Sequence, residues 1–122
     1  PPPPPRKRAK RRKRRRKIRR YSGFDLWGKR QDVTFNYEVI VAVAEALYTR
    51  HKDDDFDKIR GPGSGTPYAS ENQDDFGTRS NKPVGDSGWH VDTNFDYPNT
   101  EKRARLLLEL FDYDDPDDLR VF

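Results

Sequence analysis

His51 and His90 are the only imidazoles in the 122 residues, and there is no cysteine. That inventory limits acid–base, nucleophilic and metal chemistry at the outset. Without thiols, disulfides, zinc–thiolate sites and cysteine nucleophiles are excluded. His90 and Asp92 form an H-x-D pair of the kind some iron oxygenases use, but such a site needs another histidine downstream and His51 lies upstream. Asp92, Asn94 and Asp96 repeat the opening of a calcium loop, D-x-N-x-D. The match then fails, because Tyr97 stands where glycine is required and Arg103 where the bidentate glutamate belongs. A Ser–His–Asp set is formally possible, yet no G-x-S-x-G turn presents a serine. The glycine-rich run Gly61–Gly65 continues into Thr66-Pro67 rather than a lysine opening a helix, so it reads as a flexible turn. We expect no enzyme activity, no metal, no cofactor and no small-molecule substrate.

The residues that do suggest chemistry are cationic. Arg6, Lys7, Arg8, Lys10, Arg11, Arg12, Lys13, Arg14, Arg15, Arg16, Lys17, Arg19 and Arg20 put thirteen positive charges into the first twenty residues, with no acid among them. Such a block matches the electrostatic footprint of nucleic-acid binding. Its affinity comes mainly from counterion release and falls steeply with salt. Arginine outnumbers lysine nine to four, which suits bidentate phosphate contacts and stacking on RNA bases, and so favours RNA over DNA. No spacing of base-reading side chains is evident, so sequence readout is not expected. The KRRKRRRK run, Lys10 to Lys17, also has the form of a nuclear import signal.

Net charge is +4 over the chain, but the 102 residues after the block carry 12 basic and all 21 acidic residues, a net of −9. Arm and body are therefore expected to face different partners, a polyanion and neighbouring proteins of an assembly. The acids gather at Asp53–Asp55 with Asp57, at Asp74–Asp75, and at Asp112, Asp114, Asp115, Asp117 and Asp118. Metal binding, competition for the arm and contact with a basic protein are possible uses. Helix capping and solvation explain them more simply.

The elements that must position these groups are few. Hydrophobic residues make up 31% and charged residues 38%, against about 45–50% apolar in ordinary domains. A modest core is expected, one that leans on a partner for part of its order. No apolar run approaches the roughly 18 residues of a membrane span, and no secretory h-region is present. A transit peptide fits poorly, since the arm has no serine and no amphipathic stripe. The Pro1 start and the absence of methionine lead us to expect a processed form or a fragment.

Residues 1–20 read as a Pro/Arg-rich extension, with Pro1–Pro5 a stiff spacer. Residues 21–36 read as an irregular linker whose aromatics, Tyr21, Phe24 and Trp27, anchor on the body or a partner. Residues 37–122 read as a small helical body. Tyr37–His51 is predicted as a helix capped by Thr34 or Asn36, with Val39, Ile40, Val43 and Leu47 on one face. Lys52–Arg60 continues as a short helix with Phe56 and Ile59 inward, ended by Gly61. Residues 61–99 show no period and are expected to drape over a partner on Tyr68, Phe76, Trp89, Phe95 and Tyr97. A last helix is expected from Asn99 or Thr100 to Phe111, with Leu106, Leu107, Leu110 and Phe111 inward and Glu101 paired to Arg105. Asp115-Pro116 then opens one more turn, and Leu119, Val121 and Phe122 fold back.

The expected fold class is thus mainly α with extensive irregular structure: two to three helices, a basic N-terminal extension and a long draping loop. The expected function is a structural RNA-binding component of a ribonucleoprotein assembly, a ribosome or mitoribosome being the leading case, in mitochondrion or cytoplasm. A virion protein whose arm neutralises packaged genome, and a nuclear interaction module whose arm directs import, are the alternatives.

Overall fold

A computed structural model describes residues 20–122 of the chain. All of the basic block except Arg20 lies outside the described residues. The first element is a hairpin, where an irregular linker was expected. Strand β1, Gly23–Leu26, pairs antiparallel with β2, Lys29–Asp32, from Gly23↔Asp32 to Leu26↔Lys29. That register leaves Trp27 and Gly28 as a two-residue loop, with φ of 53° and 82°. Positive φ at both positions is the signature of a type I′ turn, whose twist matches the strands it joins. Tryptophan rarely takes this conformation. Here the Arg50 guanidinium lies 3.5 Å from the centre of its ring and Tyr113 meets it edge-on at 5.1 Å. Strand β3 of this sheet is contributed from the far end of the sequence: Leu119–Val121 pairs with the other side of β1, Leu26 opposite Leu119. The sheet order is β2-β1-β3.

Helix α1 spans Tyr37–His51 and buries Val39, Ile40, Val43, Ala44 and Leu47, the bounds and the face that the sequence predicts. Its start differs in detail. Glu38 reaches back to accept the Thr34 N–H at 3.0 Å, while the Asn36 side chain does not cap the helix. Arg50 and His51 complement the negative end of the helix dipole in its last turn. The short helix expected next is a 3-10 turn over Phe56–Arg60, with Phe56 and Ile59 buried. Gly61 ends it at φ 89°, and a Cβ there would stand 2.9 Å from the Tyr68 ring. Only glycine meets both demands.

Residues 61–99 do not drape. They fold into a second antiparallel sheet of β4 (Ala69–Ser70), β5 (Asn81–Pro83) and β6 (His90–Asp92), in the order β4-β6-β5. A 3-10 turn over Gln73–Phe76 sits between the first two strands. Ala69, Val84, Trp89 and Val91 enter the same buried cluster as α1, so the aromatic spacing serves the chain's own core. Pro83 lies on an edge strand, where its missing donor costs no ladder bond. The mainly helical expectation is therefore corrected. The body has two α-helices and two three-stranded antiparallel sheets.

Helix α2 spans Tyr97–Leu110 and starts earlier than predicted. Asp96 is its cap, accepting the Asn99 N–H at 3.3 Å, and Pro98 occupies the first turn, where no donor is required. Glu101 and Arg105 pair at 3.0 Å as expected. The buried face is Thr100, Ala104, Leu107 and Leu108, continued by Phe111 beyond the last turn. This stripe runs i, i+4, i+7, i+8, i+11 and begins on small residues that a search for leucines passes over. Leu106, expected inside, is 38% exposed. Asp115 caps the turn Pro116–Asp118 by accepting the Asp117 N–H at 2.9 Å, which matches the sequence reading. Among the described residues no helix is long and apolar enough to cross a membrane.

The two helices run side by side in the same direction. Tyr21 bonds to Asn36 and Tyr97 at their N-terminal ends, while His51 packs on Phe111, with ring centres 4.6 Å apart, at their C-terminal ends. Replacing the fully buried Leu107 with alanine is expected to cost about 2–5 kcal/mol in chemical denaturation. Leu106→Ala is expected to cost under about 1 kcal/mol. Equal costs would contradict the observed helix face.

Candidate nucleic-acid interface

The arm enters the body at a fixed point. Arg20 is exposed, and the next residue is 2% exposed. The Tyr21 N–H donates to Asn36 Oδ1 at 2.9 Å, its hydroxyl donates to the Tyr97 carbonyl, and its ring stacks on Tyr97 at 4.5 Å. Burial, with the Glu101 carboxylate nearby, pushes the Tyr21 hydroxyl up to about 12. The following residue bonds both ways, Ser22 N–H to the Phe122 carbonyl at 2.7 Å and Ser22 C=O from the Val33 N–H at 3.1 Å. Arg20 and Tyr21 thus stand beside the N-terminal ends of both helices. Phe35, next to Asn36, is 53% exposed and stacks on Tyr37 at 5.6 Å, with Lys82 4.8 Å above the Tyr37 ring.

A second cationic feature lies along the first turns of α2. Asp92 on β6 is 1% exposed. A carboxylate that deep must be paired. Its Oδ2 accepts from Arg79 Nε at 2.9 Å and lies 4.0 Å from Arg103 Nη1, while its Oδ1 accepts the Asn94 N–H at 3.0 Å. The Arg103 guanidinium is layered between Tyr68 and Phe95, 3.8 and 4.4 Å from their ring centres. Burial pushes Arg103 below its ordinary value; Tyr68 and Asp92 oppose that shift and Arg79 adds to it. It stays charged at neutral pH. Above this layer is an open cavity of about 420 Å³, edged by Arg79, Phe95, Asn99, Lys102, Arg103 and Leu106.

Two of the acidic clusters lie at the other end. Asp55 accepts from Lys58 at 3.0 Å and from His51 Nδ1 at 2.8 Å, and His51 Nε2 lies 3.0 Å from the Tyr113 hydroxyl. The hydrogen bond from Lys58 holds the Asp55 carboxyl below its usual range, and Lys58 is raised in turn by Asp55, with Asp112 and Asp54 adding to it. The clusters around 53–57 and 112–118 therefore meet where both helices end. Among the described residues, no group of three or more His, Asp or Glu side chains converges to hold a metal ion. Asp92 pairs with arginines, and Asp96 caps a helix.

Of the residues singled out from the sequence, the arm cations Arg6–Arg19 lie outside the described residues. Tyr21, Phe24 and Trp89 are buried in the chain's own core, and Trp27 is half-buried at the hairpin tip under Arg50. Their ring faces are taken up within the chain. The residues that sequence reasoning missed are Phe35, Arg79, Lys102, Arg103 and Leu106. Arg79 and Arg103 are far apart in sequence and meet only because β6 places Asp92 between them. The one available signal was Asp92 itself, whose acidic spacing had drawn attention for another reason.

Stability is expected to fall as pH rises from about 10 toward 12, because the folded chain keeps the Tyr21 proton after the unfolded chain has lost it. Tyr21→Phe should flatten that part of a pH–stability curve, and an unchanged slope would rule the linkage out. Asp92→Ala should cost about 3 kcal/mol in denaturant melts, since it leaves two guanidiniums without their counter-charge.

The chain matches no protein-family model, no curated protein and no solved structure, so its functional reading rests on its own residues and geometry.

Proposed function

We propose that this chain is a structural RNA-binding component of a ribonucleoprotein particle, cytoplasmic or mitochondrial, and not an enzyme. The observation that carries this is the arm: thirteen cations in twenty residues, no acid among them, ahead of 102 residues with a net charge of −9. A block that dense gains most by replacing condensed counterions on a phosphate backbone, and it needs no base contacts to do so.

Two features of the body support the reading. The arm root is fixed by Tyr21 at the helix N-termini, whose partial positive charge suits phosphate. The nine carboxylates of the 53–57 and 112–118 clusters stand at the helix C-termini, where the dipole disfavours them. That placement suits contact with a basic neighbouring protein and keeps the acidic end away from RNA. Arginine stacking favours RNA over DNA. The Lys10–Lys17 run supports a second reading, a nuclear module whose arm directs import.

Titration of the full chain with single-stranded RNA against salt tests the first reading. If all thirteen arm cations engage phosphates, log K against log salt should have a slope of about −9. Replacing the arm's Lys and Arg with Gln should remove most of that slope. A slope near zero in the unmodified chain would sink the proposal. Loss of nuclear entry with assembly intact in the Gln-substituted chain would decide for the import reading.

A further inference from the structure

We infer that the cavity beside the first turns of α2 is a nucleotide site, taking one phosphate of a single-stranded RNA on Arg79 and Lys102 and the adjoining base on Phe95 and Leu106. This rests on the RNA-binding reading of the arm and gives the body its own contact with the same strand.

Charge is the first argument. Arg79 and Arg103 share one buried carboxylate, Asp92, and Lys102 stands with them on the edge of the cavity. Of the acids next to these residues in sequence, Asp96 is engaged as the α2 cap with the Asn99 backbone and side-chain amides at 3.3 and 2.8 Å, and Glu101 is paired with Arg105 at 3.0 Å. A guanidinium has five N–H donors. Arg79 gives one to Asp92 and a long one of 3.4 Å to the Asn94 carbonyl, which leaves donors for an incoming oxygen. Lys102 is exposed and makes no ion pair among the described residues. Arg103 Nη1 is buried without a hydrogen-bond partner. Its part is to hold positive charge in the floor, fixed by the two rings around it.

The second argument is the wall. A site for a bare anion requires no apolar lining, and an extended acidic peptide offers no flat ring to cover one. Phe95 is half-buried, with Arg79 and Arg103 already against it, and Leu106 is exposed on the rim beside the cations. Cations and an aromatic in one groove are how single-stranded nucleic acid is held without sequence readout.

Position is the third. Tyr97, stacked on Tyr21 at the arm root, opens the helix that carries Lys102. Five residues of helix separate them, about 7.5 Å along the axis. Lys102 and the arm root thus lie toward the same end of α2, and the acidic clusters lie at the opposite end.

The experiment uses the full chain labelled with nitrogen-15 and methyl carbon-13, followed by nuclear magnetic resonance. The probes are uridine 5′-monophosphate, inorganic phosphate and a twelve-residue oligouridylate. Uridine monophosphate should shift the Arg79 Nε–H, the Asn99 side-chain amide and the Leu106 methyls. Inorganic phosphate should shift the arginine and leave the Leu106 methyls in place. Lys102→Glu, at an exposed position with an unchanged melting curve expected, should abolish these shifts while the arm signals still respond to oligouridylate. Leu106→Ala should weaken the nucleotide and leave inorganic phosphate unaffected. Oligouridylate shifts confined to the arm would overturn the cavity site and leave the arm reading intact. Cavity shifts with an unresponsive arm would overturn the arm reading and leave the cavity site. Shifts unaltered by Lys102→Glu would also overturn the site.

Discussion

The burial of helix α1 orders the rest of the body. Val39, Ile40, Val43, Ala44 and Leu47 are all closed to solvent, and one packed surface does not cover so wide an apolar face. Helix α2 covers part of it, and Trp89 and Val91 of the second-sheet region join the same cluster as Phe24, Leu26 and Leu119 of the first sheet. With 31% hydrophobic residues there is no second core to distribute. The buried residues of both sheets and of α2 gather around this one helix. That is why strands only two to four residues long are held in place at all: their order comes from the surface they lie on, not from their own ladders.

Polar fastenings complete what the small core begins. Asp92 ties the second sheet to α2 through Arg103 and to the segment before Asn81 through Arg79, and the Tyr21 hydroxyl and backbone tie the chain ahead of the first strand to the starts of both helices. At the opposite end His51, bridged between Asp55 and Tyr113, joins the helix ends. Each fastening joins segments far apart in sequence. The parallel run of the helices then puts both positive dipole ends beside Tyr21 and both negative ends beside two of the acid clusters.

The parts of this arrangement legible in the sequence are those written locally. Helix α1 was readable to its ends because its apolar period is complete, and the Asp115-Pro116 turn because cap and proline are adjacent. The hairpin was not, since Lys29–Asp32 has no apolar alternation and its turn begins with tryptophan rather than asparagine or aspartate. Strands such as Ala69–Ser70 are too short for any period, so residues 61–99 looked structureless until Trp89 and Val91 were seen against α1. Of the candidate interface, the arm was plain from composition. The Arg79–Asp92–Arg103 floor was hidden because its members share only a place in the fold.

The strand that roots the arm has its second neighbour at the far end of the chain: Ser22 and Phe122 are bonded across 100 positions. The first sheet therefore closes only after Leu119–Val121, the last of the described elements in sequence, has been made. The root at Tyr21 and Ser22 is thus locked by the last described element to be synthesised, and the order of closure follows from the order of the strands.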